Sequence, residues 1–204
     1  MRGNVCAQDS LAACYEGGLG VAKDQVEAVT WYRKAAEQGD ADAEFNLGRC
    51  LHEGLGVKQD KAEAVKWTEK AAEQGIAEAQ MMTGLNYWAG TDTAMDATNG
   101  VRWFEKAAEQ DQVDAFYYLG GAYYFGRGVA QDYVQSYKWG LLYLGTDKSV
   151  ITNDDVRIQI LAELKETLAD LDTKLTQAQI KEGKRLADET RARLAKKVKL
   201  EDKP

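Results

Sequence analysis

Histidine and proline occur once each in this chain of 204 residues, and cysteine occurs three times. A single proline rules out polyproline segments and leaves long helices free of obligatory breaks. An odd number of cysteines cannot all pair within one chain. His52 has no second histidine with which to share a zinc site. Cys50, two residues before it, would face a different side of a helix. Any run of about 18 apolar residues is missing, so no segment is expected to cross a membrane. The first ten residues, MRGNVCAQDS, hold no apolar signal core. The formal net charge is −7, which repels phosphate backbones and argues against nucleic acid as a partner. No glycine-rich phosphate loop or nucleophile elbow is found, Ser10 to Cys14 included. Carboxylates are abundant, yet nothing in the pattern selects a catalytic pair. Neither metal nor cofactor is expected.

What the chain does have is repetition. Residues 18–40 read GLGVAKDQVEAVTWYRKAAEQGD, and residues 54–76 read GLGVKQDKAEAVKWTEKAAEQGI, identical at 15 of 23 positions at an offset of 36. A fixed period of this size signals a stacked array. Four units follow at 5–40, 41–76, 77–112 and 113–148. Gly3 and Asn4 align with Gly39 and Asp40, so residues 1–4 read as the end of a further upstream unit.

Each unit predicts two helices. The first carries small and apolar residues at i, i+4 and i+8, such as Ala43, Leu47 and Leu51. Ala12, Gly48, Gly84 or Gly120 lets a second helix approach its backbone. Gly18, Gly54, Gly90 or Gly126 then suits a left-handed helix end. Asp24, Asp60, Asp96 or Asp132 reads as the N-cap of the second helix. With Glu27, Glu63 and Gln135 three residues on, three of the four resemble reciprocal capping boxes. The second helix carries Trp31, Trp67, Trp103 or Trp139 and closes at Gly39, Gly75 or, in the third unit, Asp111. Cys14 and Cys50 are equivalent positions on stacked helices, too far apart to bridge. Cys6 and Cys14 lie about 12 Å apart along one helix. Three free thiols favour a reducing, cytoplasmic compartment. A periplasmic or secreted location would require an upstream signal.

The pattern LG-x-x-x-x-x-G-x-GV-x-x-D followed by A-V-x-W-x-x-KAAEQG resembles the Sel1-like repeat family, longer relatives of the tetratricopeptide repeats. Leu47, Gly48, Gly54, Gly56, Val57, Asp60, Ala64, Trp67 and Lys70 to Gly75 carry the match. The resemblance spans about residues 5–148 and implies an all-α, right-handed α-solenoid of four 36-residue helix pairs. The third unit departs, with Gly90-Thr91-Asp92-Thr93 in place of G-x-GV, so a rebuilt loop is expected there. Residues 153–204 do not repeat. Val156, Ile160, Leu164, Leu168 and Leu171 predict one helix, and Thr176 with Gln179 opens another that continues through Ile180, Leu186, Leu194 and Val198. This pair is expected to cap the stack. Arg191, Arg193, Lys196, Lys197 and Lys199 cluster at its end, where cations complement the helix dipole.

The tryptophans recur in register with paired alanines, which points to packing and not to a ligand cage. In the tetratricopeptide relatives, the partner-contacting positions lie two before, two after and five after the leucine of the Leu-Gly pair. The resemblance carries these onto Phe45, Arg49 and His52; Met81, Leu85 and Trp88; and Tyr117, Gly121 and Tyr124. In the first unit they fall on Asp9, Ala13 and Glu16. Met and aromatics there suit a binding surface; the alternative is contact with neighbouring repeats or the capping helices. The expected function is a non-enzymatic scaffold, monomeric until it binds a protein or peptide on the concave face. A spacer or adaptor segment of a longer repeat protein is the alternative, and an enzyme of unrecognised kind the third.

Overall fold

The computed structural model describes residues 5–146 and 154–201, and every regular element among them is an α-helix. In chain order these are α1 (Val5–Gly17), α2 (Gln25–Ala36), α3 (Ala41–Glu53), α4 (Lys61–Glu73) and α5 (Ala77–Ala89). There follow α6 (Ala97–Ala108), α7 (Val113–Phe125), α8 (Tyr133–Leu144), α9 (Asp154–Lys174) and α10 (Gln177–Glu201). The helices gather into two compact units, one ending at Asp96 and one beginning at Ala97. The seam proposed at residues 1–4 lies outside the described residues, as do the side chains of Val156, Val198 and Lys199.

The helix ends follow from local chemistry. Gly54, Gly90 and Gly126 terminate α3, α5 and α7 at φ of 76°, 65° and 67°, a conformation that costs glycine little. Asp111 stands where the first two units have glycine and is the one non-glycine residue at positive φ (63°) among the described residues. The side chains of Asp24, Asp60 and Asp132 accept hydrogen bonds from the first-turn amides of α2, α4 and α8. The reciprocal half of the expected capping box is replaced. The backbone N–H of each aspartate donates instead to a carbonyl nine residues earlier, on the preceding helix: Asp24 to Tyr15, Asp60 to Leu51, Asp96 to Tyr87 and Asp132 to Tyr123. The cap thus ties the two helices of a pair together, and the Glu63 side chain is left to bind Arg33 (2.6 Å) and the Trp67 indole (3.1 Å).

In the first unit α1 to α5 pack each on the next around Ala12, Ala28, Tyr32, Ala35, Ala43, Leu47, Cys50 and Leu51, all buried. Truncating a fully buried leucine such as Leu47 costs about 2–5 kcal/mol. The most buried large side chains of the second helices follow the tryptophans: Tyr32 and Phe104, with Thr68 at the same position of α4. Trp31, Trp67 and Trp103 are only half-buried. Each carries the ammonium of Lys34, Lys70 or Lys106 at 3.8–3.9 Å from its ring centroid. The aliphatic stem and charge of lysine shield an indole that the core does not enclose. Trp139 differs: it is buried and stacks on Phe116 at 5.7 Å.

In the second unit α6 packs on α7, α7 on α8, and both α9 and α10 on α8. Leu164 and Leu168 reach Gly140 of α8, where a Cβ would lie 3.1–3.3 Å from them. The buried stripe of α10 is Ile180, Gly183, Ala187, Thr190 and Leu194. Leu186 flanks this stripe; the helix approaches α8 through small residues, with Gly183 against Tyr137. Of the basic cluster, Arg191 reaches the Leu141 carbonyl at the end of α8 at 3.5 Å, and Lys197 the Glu109 carbonyl after α6 at 3.4 Å. These cations lie at the C-terminal ends of other helices, α8 and α6.

Candidate interaction faces

Within the first unit, neighbouring repeats meet at the second glycine of the loop. A Cβ on Gly56 would lie 2.1 Å from the carbonyl oxygen of Gln25, the first residue of α2. Thirty-six residues on, Asp92 replaces that glycine and Lys61 replaces Gln25. The loop is rebuilt around the change. Asp92 Oδ1 lies 3.3 Å from Lys61 Nζ, and Oδ2 lies 3.3 Å from His52 Nε2, with the carboxylate side chain only 5% exposed. Thr93 donates to the Asn86 carbonyl at 3.2 Å, fixing the turn after α5. A close backbone contact has become a bridge of three charged or chargeable side chains. The departure from glycine was the signal for it.

The positions carried over from the resemblance sort by burial. On α3, Ala43, Leu47, Cys50 and Leu51 are buried while Phe45, Arg49 and His52 are half-exposed. On α5, Leu85 and Trp88 are half-exposed. Met81 is a correction: at 8% exposure it backs this face and does not line it, as an unbranched thioether that fills gaps would. Arg49 Nη2 lies 2.5 Å from Glu16 Oε1, and the Tyr32 hydroxyl donates to Glu16 Oε2 at 2.7 Å. Burial pushes the Glu16 carboxyl upward, but the bonds from Arg49 and Tyr32 outweigh it and hold it below its ordinary range. Asp9 is shifted the other way, by burial and then by the nearby Asp40 carboxylate.

In the second unit Tyr117 and Tyr124, half-exposed on α7, both reach α9. The Tyr117 hydroxyl donates to Glu163 Oε2 at 3.3 Å, and the Tyr124 hydroxyl donates to Asp170. Lys174 Nζ lies 2.6 Å from Asp170 and donates to the Tyr124 hydroxyl at 3.0 Å. That ammonium also sits 4.8 Å from the Tyr124 ring centroid and 5.1 Å from that of Tyr133. Burial, followed by the Glu163 charge, raises the Tyr117 phenol. Phe125 meets Tyr124 edge-on at 4.8 Å and is 76% exposed. Contact between α7 and α9 could not be read from periodicity, because α9 lies outside the repeat. Among the described residues no group of three or more His, Cys, Asp or Glu could hold a metal ion. No described helix is long and apolar enough to cross a membrane.

The Sel1 repeat family model matches residues 7–40, 41–76, 77–112 and 113–141. Among solved structures, the chain is similar to a Sel1 repeat protein from Oxalobacter formigenes, at 38% identity and a TM-score of 0.65, over 68% of this chain and 55% of that one. It is also similar to c5321, a protective antigen of uropathogenic Escherichia coli strains displaying an SLR fold. There the identity is 33% and the TM-score 0.71, over 98% of this chain and 42% of that one. The chain therefore spans about half the length of these relatives. No curated protein matches it. Repeated helix pairs, four family matches in one register and neighbours of the same fold lead to one conclusion: the chain is an α-solenoid and belongs to the Sel1 repeat family.

Proposed function

We propose that the protein is a non-enzymatic interaction scaffold that holds a peptide or protein partner on the inner-helix face of its repeats. Sel1 repeats generally mediate protein–protein interaction, and helix-pair arrays present extended surfaces suited to it. The observation that carries the reading is the split in burial on α3 and α5. The repeat-defining residues are buried, while Phe45, Arg49, His52, Leu85 and Trp88 stay half-exposed, with Met81 behind them and Tyr117 and Tyr124 at the matching positions of the second unit. Aromatics and Arg at partly open positions are the composition of binding hot spots.

A photo-crosslinking residue at position 45 or 88 should trap one partner, and one at the exposed Lys66 should not. Trp88→Ala with Tyr124→Ala should abolish that capture while the helical melting curve stays largely intact. Equal crosslinking from all three positions, or loss of folding in the double variant, would defeat the reading. A spacer segment of a longer repeat protein is the second reading, favoured by the SLR-fold relative, of which 98% of this chain covers only 42%. It predicts crosslinks confined to the array ends.

A further inference from the structure

The second unit presents two tyrosine–carboxylate pairs in one register. Tyr117 and Tyr124 are seven residues apart on α7, and their partners Glu163 and Asp170 are seven apart on α9. The two helices therefore run parallel here, with the pairs two turns, or about 10 Å, apart. Between the tyrosines, on the same face of α7, stands Gly121. A Cβ there would meet no atom within 4 Å, so the surface of α7 is open at this point. At the Tyr124 end, the carboxylate already holds the ammonium of Lys174, which also lies over that tyrosine ring. At the Tyr117 end, Glu163 accepts from the Tyr117 hydroxyl and from Gln159 (3.1 Å), both neutral donors. Among the described residues, one pair has its cation and the other does not.

We infer that the Gly121 notch binds a cationic side chain, arginine or lysine, of a partner peptide, with Tyr117 as the aromatic wall and Glu163 as the counter-charge. This rests on the scaffold reading and names the partner chemistry of its second unit. The Lys174 arrangement shows the same chemistry satisfied from within the chain: an ammonium between a carboxylate and a tyrosine ring. Residues 97–204 carry equal numbers of acidic and basic side chains, so the attraction for a cation is local to the Glu163 carboxylate. Glycine at this position keeps open a space that any larger side chain would fill.

The test uses the full chain and the pentapeptide Ac-Gly-Ala-Arg-Ala-Gly-amide, with lysine, glutamate and leucine in place of arginine as controls, followed by amide NMR shifts. The arginine and lysine peptides should perturb Tyr117, Gly121 and Tyr124 with millimolar affinity. The glutamate and leucine peptides should not. Gly121→Leu should remove the perturbation, and Glu163→Gln should weaken it at least threefold, both with an unchanged melting temperature. If Gly121→Leu fails to fold, Gly121→Ser should give a partial loss. Shifts that map elsewhere, or that survive both the Gly121 and Glu163 changes, overturn the inference. Preferential binding of the leucine or glutamate peptide at these residues overturns the cation assignment while leaving the scaffold reading intact. Failure of the crosslinking at positions 45 and 88 is a separate result that bears on the scaffold alone.

Discussion

Asp92 lies 3.3 Å from His52 and 3.3 Å from Lys61, in the loop position where the neighbouring repeats carry a left-handed glycine. His52 and Lys61 are 37% and 50% exposed, so water screens their side of the bridge. A fully buried pair would cost about 3–5 kcal/mol to break, and screening reduces that here. Asp92→Asn should destabilise the first unit by about 1 kcal/mol. A double-mutant cycle of Asp92→Asn with Lys61→Met should return a coupling of about 0.5–1 kcal/mol that shrinks in salt. Additive effects would show that Asp92 and Lys61 do not interact.

Acid sensitivity should centre on Glu16. Its folded-state pKa is lowered, so its stabilisation is present above the ordinary glutamate range and is lost as pH falls through the folded value. The carboxyls of half-buried Asp9 and buried Glu44 are raised instead, chiefly by burial, and stabilise in the opposite direction on acidification. Urea melts between pH 6 and pH 3 should show wild type losing stability that Glu16→Gln has already lost at pH 6, about 1–2 kcal/mol. Parallel curves for the two proteins would remove Glu16 from this role. At the alkaline end, burial first and the bond to Glu16 second raise the Tyr32 phenol well above its ordinary value. Its stabilisation is present below the free tyrosine range and is lost as pH rises beyond it. Tyr32→Phe should flatten the fall in stability above about pH 10.

Thiol chemistry should separate the cysteines. Burial pushes the Cys50 thiol up to about 11, and the side chain is closed to solvent. Cys6 is exposed. At pH 8, iodoacetamide followed by peptide mass spectrometry should label Cys6 at least a hundredfold faster than Cys50. Denaturant should remove the difference. Similar native rates would contradict a closed α3 face.

Two glycines at one repeat position should respond in opposite directions to alanine. On Gly48 a Cβ would lie 2.6 Å from Thr68 Oγ1 and 3.2 Å from the Ala64 carbonyl oxygen; on Gly120 the nearest atom would be 3.8 Å away. Gly48→Ala must turn Thr68 away from its bond to the Ala64 carbonyl and should cost about 1–3 kcal/mol. Gly120→Ala gains helix propensity without a clash and should be neutral or stabilising by up to about 1 kcal/mol. Thermal melts of the two variants decide the matter, and a shared sign would mean that helix spacing is the same in both pairs.

Much of the fold was legible because its determinants are local. Glycines at helix ends, aspartates at helix starts and the apolar-Gly pair act within a few residues of themselves, and repetition multiplied each signal. The reading faltered where a side chain had a choice of neighbours. Glu63 could bind its own cap amide or Arg33, and it binds Arg33. Trp67 is larger than Thr68, yet Thr68 is buried, because it faces Gly48 across the closest approach of the pair. Met81 has the composition of a binding surface but a packed position.

By itself, the sequence determined the family, the 36-residue register, the helix ends and the free thiols, since each depends on residue type at fixed spacing. Tertiary structure alone decided that Asp92 meets His52 and Lys61 across a repeat boundary. It also decided that Tyr117 and Tyr124 meet Glu163 and Asp170, 46 residues further along. Those pairs depend on where a helix outside the repeat settles, which follows from packing of Leu164 and Leu168 against Gly140 and not from any period in the chain.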